Sequence, residues 1–215
     1  PTYSKIGHPL IKTSNFSLGN TSTSYTWDNE NYKVVASSTI YDINGDTDFP
    51  VWEAFDGIKS GTTGVTNSWV SAGSSNGTGP DATYSQDGSY IGNDQLGGVN
   101  GEWIYIKFPN PIVSNEIELH SRLKEQMPVE FTIMASNDET NWTIIQSVSG
   151  VSWNDTETKT FTFSNPNSYE YYGIVCQTLG NLNFRVSCCQ ISEITFNSSV
   201  TPIFLDNSLR QGVTI

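Results

Sequence analysis

An all-β sandwich with long loops is the fold the sequence predicts, on three observations. Between Glu102 and Phe196, apolar residues recur in short alternating runs, the period of two that a half-buried strand imposes. Clusters of turn-forming residues separate those runs. No stretch sustains the 3.6-residue period of a long helix. The chain has 215 residues, enough for one sandwich with a sizeable core and no need of metal or disulfide staples.

The elements follow in order. Residues 1–31, rich in Ser, Thr and Asn, read as an N-terminal extension, residues 32–197 as the sandwich, and residues 198–215 as a tail or linker. Pro50 to Ala54 suits one helical turn. Ser71 to Gly101 is dominated by Gly, Ser, Asn and Asp and reads as a long surface loop, of the kind that often carries function. Glu102 to Phe108 then puts Ile104, Ile106 and Phe108 on one face of a strand. Glu116 to Ser121 alternates through Ile117 and Leu119. Phe131 to Ser136 and Trp142 to Ser147 flank Asn137-Asp138, a hairpin connection. Thr158 to Phe163, Tyr171 to Gln177 and Gln190 to Phe196 complete the set. Trp69, Trp103 and Trp142 are expected to pack in the core or on a sheet.

Composition narrows the function classes. The net charge is -12 and the ten Lys and Arg are scattered, so nucleic acid is not an expected partner and anionic membrane is an improbable one. No apolar run approaches the ~20 residues of a bilayer span. The three cysteines, Cys176, Cys188 and Cys189, are an odd count, and the last two are adjacent. Cys176 could face either across a hairpin; buried free thiols are the simpler expectation. The chain begins at Pro1 with no apolar signal segment and reads as a processed form or an excised domain. Gly73 to Gly77 matches the nucleophile-elbow pattern G-x-S-x-G, but no helix follows and the region is Gly/Ser-rich, so chance explains it.

Several motifs coincide in order. Val34-Val35-Ala36-Ser37-Ser38 precedes Trp52-Glu53-Ala54-Phe55-Asp56-Gly57, then Ser68-Trp69-Val70-Ser71 and Gly101-Glu102-Trp103-Ile104. Ile117 to Arg122 follows, then Pro128, Phe131, Ala135 to Asp138, Asn141-Trp142, Tyr169 to Tyr172 and Ser192-Glu193-Ile194. In this order the chain resembles a discoidin domain, of the F5/8 type C or galactose-binding-like family, which includes the family 32 carbohydrate-binding modules. The resemblance implies an eight-stranded jelly-roll sandwich that binds a glycan or glycoconjugate through loops at one rim, without catalysis. It implies a lectin-like attachment role at an extracellular, cell or virion surface. Two other readings stay open: a structural or protein-interaction module of a coat or fibre, and a phospholipid-binding domain. An oligomer is compatible with each. The sequence departs from the family in having no cysteine near Tyr32 and in the length of the Ser71 to Gly101 loop.

The resemblance also implies sites. Carbohydrate-binding members commonly hold a structural calcium ion between the loop after Phe-Asp-Gly and a glutamate of the last strand. The matching residues are Asp56, Asn67 and Glu193, hard oxygen ligands of the kind Ca2+ takes. Ile58 stands where the family often has a second acid. Asp42, Asn44, Asp46 and Asp48, with Glu53 further on, imitate EF-hand spacing, but Thr47 replaces the required Gly and Pro50 interrupts, so a solvated acidic loop is the better reading. The ligand rim is expected to include Arg122, where the family often places an arginine that bonds sugar hydroxyls. A guanidinium offers fixed donors for vicinal hydroxyls; an ion pair with Glu118, Glu125 or Glu130 is the competing role. His120 shares strand parity with Arg122, and Gln126 sits in the following loop. Phe184, in the last loop before the final strand, is a stacking platform or a core contact. Tyr84 and Tyr90 are expected rim contacts, because a polar, Gly-rich loop gives them few core roles.

Overall fold

The computed structural model describes residues 25–28, 32–39, 49–59, 67–71, 83–180 and 188–197. Phe184, the acidic run 42–48 and the segment 73–77 lie outside the described residues. The strands are β1 (Tyr25–Asp28), β2 (Lys33–Ala36), β3 (Trp69–Val70), β4 (Gln95–Leu96), β5 (Val99–Asn100), β6 (Glu102–Ile112) and β7 (Glu116–His120). They continue as β8 (Pro128–Ser136), β9 (Trp142–Val148), β10 (Thr158–Thr162), β11 (Tyr169–Leu179), β12 (Gln190–Ile191) and β13 (Glu193–Asn197). A six-stranded sheet runs in the order β1-β2-β6-β11-β8-β9, and a three-stranded sheet in the order β10-β7-β13. The pairs β12-β3 and β4-β5 form two small ladders. The larger sheet begins at Tyr25, upstream of the Tyr32 start that the sequence suggested.

The alternating runs explain why two layers form. Ile104, Ile106 and Phe108 of β6 share the inward face with Val34 and Ala36 of β2 and Ile174 of β11, and all six are buried. Ile117 and Leu119 of β7 and Ile194 and Phe196 of β13 answer them from the smaller sheet. The Phe131 ring of β8 meets the Phe161 ring of β10 at 5.1 Å, and Phe196 of β13 meets Tyr172 of β11 at 5.3 Å. Each large side chain removed from water contributes roughly 1.5–3 kcal/mol. The turn foreseen at Pro50 is a 3-10 helix, Val51–Phe55, which buries Val51, Ala54 and Phe55. Trp69 is buried in this core, with its indole N–H donating to Ser38 O at 2.8 Å. All three cysteines are free and buried.

The segment between Ser71 and Gly101 departs from the expectation of a bare loop. From residue 83 onward it is built onto the sandwich. Tyr84 is fully buried in the main core, and its hydroxyl donates to Cys176 O at 2.8 Å. Tyr84 is therefore a core residue and not a rim contact. The polar neighbours concealed this, because one aromatic suffices to anchor a polar segment when its hydroxyl has a buried acceptor. The anchoring continues along β11: Tyr90 N–H donates to Gln177 O at 3.0 Å and Leu179 N–H to Gly88 O at 2.8 Å. At Gly88, with φ of +89°, a Cβ would lie 2.3 Å from Leu179 O, so only glycine fits.

The same segment covers the outer face of the large sheet. Val35, Tyr105, Met134, Tyr171 and Val175 point away from the main core and pack with Leu96 of the β4-β5 hairpin into a second cluster. Trp103 and Trp142, half-buried, edge this cluster, with Trp103 stacked on Tyr105 at 5.5 Å. Gly173 of β11 makes the arrangement possible, since a Cβ there would meet Tyr105 Cβ at 2.5 Å.

Candidate functional site

Strand directions collect the candidate residues at one end. The register pairs His120, the last residue of β7, with Thr158 at the start of β10 and with Glu193 at the start of β13. At the same end lie the exit of β2, the starts of β6 and β8, and the exit of β11. The turn after β7, the segment 83–101 and the Asp56 loop therefore share a rim.

Arg122 stands on the turn between β7 and β8. It is half-buried; its Nε is buried and has no hydrogen-bond partner among the described residues. None of the expected acids pairs with it. Glu118 lies 4.0 Å from Lys59, and Glu130 accepts the Thr178 hydroxyl at 2.7 Å. The turn is firmly held: Lys124 N–H donates to Asp155 Oδ1 at 2.8 Å, and the Ser121 hydroxyl donates to Asn154 O at 2.7 Å. Gly180 backs directly onto it, since a Cβ there would sit 3.0 Å from Lys124 O.

The other expected rim residues have structural engagements. His120 is buried, and its Nδ1 lies 2.8 Å from the Thr158 hydroxyl, on the outer face of the small sheet beside Glu193. β7 ends at His120, so Arg122 stands on the turn and not on the strand. Gln126 is buried and donates through Nε2 to Cys188 Sγ at 3.0 Å, so it supports the rim from beneath. Tyr90 is half-buried, with its ring edge against Tyr84 at 5.3 Å and its hydroxyl accepting from Asp94 N–H at 2.7 Å.

Asp56, Asn67 and Glu193 do converge. Asn67 Nδ2 donates to Asp56 Oδ2 at 2.9 Å, Ile58 N–H to Asp56 Oδ1 at 2.8 Å, and Gly57 N–H to Glu193 Oε2 at 3.0 Å. The turn depends on Gly57, whose φ is +79°. Burial, and then the neighbouring Asp56 charge, push Glu193 up to about 9. Burial also raises Asp56, opposed by its bonds from Ile58 and Asn67. Glu53 is pushed up to about 7, chiefly by burial, with Asp56 adding to the rise. Glu193 Oε1 is buried without a partner among the described residues. An orphaned oxygen on a buried carboxylate beside a second carboxylate fits a hard cation. No three His, Cys, Asp or Glu side chains among the described residues gather closely enough to hold a metal alone. An ion here would take its remaining ligands from carbonyls and water.

One buried acid at this end escaped the sequence reading. Glu102 is fully buried and accepts the hydroxyls of Ser37 and Ser38, the latter at 2.8 Å. Burial pushes it up to about 6, against the two serine bonds that favour its charge. The signal was available: Glu102 shares parity with Ile104, Ile106 and Phe108, so the strand pattern points it inward.

No protein-family model matches the chain, and no curated protein does. Among solved structures it is similar to a CBM32 module of Clostridium perfringens in complex with GalNAc-β-1,3-galactose, at 15% identity and a TM-score of 0.48, over 77% of this chain and 94% of that one. It is similar to chitosan-binding module 1 of a chitosanase/glucanase from Paenibacillus sp. IK-5, at 21% identity and 0.48, over 77% and 94%. It is also similar to the lectin domain of lectinolysin complexed with Lewis B antigen, at 12% identity and 0.49, over 77% and 92%.

Proposed function

We propose that the chain is a non-catalytic attachment module that binds a glycan at the rim around Arg122, outside the cell or on a particle surface. One observation carries the reading. In a chain of net charge -12, the half-buried rim guanidinium has no acidic partner among the described residues, and its Nε is buried with no hydrogen-bond partner among them. A desolvated donor without an acceptor is unfavourable unless something else supplies one. Sugar hydroxyls supply acceptors, and half-buried Tyr90, on the segment 83–101 that shares this rim, is an aromatic candidate for a sugar face. The affinity of one such shallow site is on the order of mM to µM, raised in use by multivalency.

The test is a glycan array with the whole chain, repeated with Arg122→Ala. Array signal that disappears in the variant while its melting temperature holds supports the reading. Binding to anionic vesicles with no glycan signal would overturn it.

A structural calcium ion belongs to the same proposal. Asp56 and Glu193 would hold it, with Asn67 orienting Asp56. Calcium would supply the positive charge that the two buried carboxylates lack, and so fix the Asp56 loop against β13. His120, next to Glu193 in the register, would support this site rather than touch the glycan.

A further inference from the structure

The described residues contain six basic side chains, and their pairing is uneven. Lys33 pairs with Glu139, Lys59 with Glu118 at 4.0 Å, Lys107 with Glu170 at 3.7 Å and Lys159 with Glu157 at 2.9 Å. The charged nitrogens of the remaining two, Arg122 and Lys124, have no carboxylate within 4 Å among the described residues, and they occupy one turn. Acids are not scarce around them. Asp155 receives the Lys124 N–H, Glu157 is committed to Lys159, Glu130 receives Thr178, and Glu125 lies within the same turn without engaging Arg122. In a chain with 22 acids and 10 bases, the rim turn thus carries two cationic side chains, separated by Leu123, that form no ion pair among the described residues.

We infer that the rim selects an acidic sugar, a glycan bearing a carboxylate, in preference to its neutral counterpart. The inference rests on the reading of the rim as a glycan site and names the ligand class for it. The Arg122 guanidinium is a planar fork that matches a carboxylate with two parallel hydrogen bonds, and such charge-assisted pairs are stronger than bonds to hydroxyls. Lys124, exposed and one residue removed, adds a point charge. The acidic remainder of the surface slows long-range capture of an anion. At physiological salt the screening length is about 8 Å, so the local pair governs the bound state.

The test uses the whole chain and two acidic probes, 3′-sialyllactose and trigalacturonic acid. Each is titrated beside its neutral counterpart, lactose and the methyl-esterified trigalacturonate, at low and at high salt. The expected result is at least a roughly tenfold preference for one acid over its neutral partner, shrinking as salt rises. Which acid shows it separates a sialate from a uronate. Arg122→Ala should remove the preference, Arg122→Lys should retain part of it, and Lys124→Ala should reduce it severalfold. Melting each variant separates lost binding from lost folding, and Arg122→Lys stands in if the alanine variant does not fold. Equal or tighter binding of the neutral sugars overturns the inference and leaves the glycan site standing. Absence of binding to all four probes and to a glycan array overturns both.

Discussion

The outer faces of the two sheets differ in kind, although their inner faces are alike. The large sheet turns Trp103, Tyr105, Tyr171 and Met134 outward and covers them with Leu96 and Val99 of an inserted hairpin. The small sheet turns three polar rows outward: Thr158-His120-Glu193, Thr160-Glu118-Thr195 and Thr162-Glu116-Asn197. An apolar outer face needs a cover, and the insertion supplies it. A polar outer face needs partners, and the Asp56 loop supplies them to Glu193. Insertion and loop thus do opposite jobs at one rim, the first by excluding water and the second by gathering charge.

The widest break in that contrast is removal of the cover. Replacing residues 83–100 with a short Gly/Ser linker should abolish cooperative thermal unfolding, because Tyr84 leaves the main core and the second cluster opens. Tyr84→Ala alone should cost about 3–5 kcal/mol, roughly 10 °C in melting temperature. A linker variant with an unchanged melt would show that the segment is only a surface loop.

The polar face can be probed through pH. The Glu193 pKa rises from its ordinary 4.5 to about 9 on folding without a cation. Its contribution is therefore fully present below pH ~4.5 and is lost as pH rises through about 9. With chelator, the melting temperature should fall across that window. Calcium should restore it most at the alkaline end, where the carboxylate is ionised. Glu193→Gln should remove the alkaline part of the pH dependence, leaving that of Glu53 and Glu102 at lower pH, and should remove the calcium response. A wild-type melt indifferent to both pH and chelator would deny the site its cation.

Leu96→Ala, at the hairpin cover, should cost about 2–3 kcal/mol and leave the calcium response untouched. Lys59→Ala marks the lower end. Its contact with Glu118 is long, at 4.0 Å, and Lys59 itself is exposed, so stability should move by less than about 0.5 kcal/mol in chemical denaturation.

Much of the fold was legible in the alternation itself. The strands read from Glu102, Glu116, Trp142 and Thr158 begin where the structure begins them. Period-two burial is strongest where a strand has one wet and one dry face. Trp103 and Trp142 pack on the sheet as expected, although on its outer face, which single-strand parity does not distinguish from the core. The grouping of Asp56, Asn67 and Glu193 was what the family resemblance implied, since residues 11 and 126 positions apart carry no local signal. Tyr84 was misplaced because composition averages over a window, whereas burial depends on one ring and one acceptor. For His120 the strand pattern gave the outward face of β7, but not its Thr158 partner, which comes from a strand 38 residues later. Glu102 needed only the parity rule applied to a charged residue.

The three thiols at this end offer a clock. Cys176, Cys188 and Cys189 sit where β11, the β12 ladder and the Tyr84 anchor meet, and none is reachable in the closed state. Burial pushes Cys188 up to about 12, so its reactive thiolate is scarce while the thiol stays buried. Modification by a soluble thiol reagent must therefore wait for the rim to open, and its rate reports how often that happens without any introduced label. Slowing of that rate by a sugar or by calcium would measure, in seconds, how tightly each one holds the rim shut.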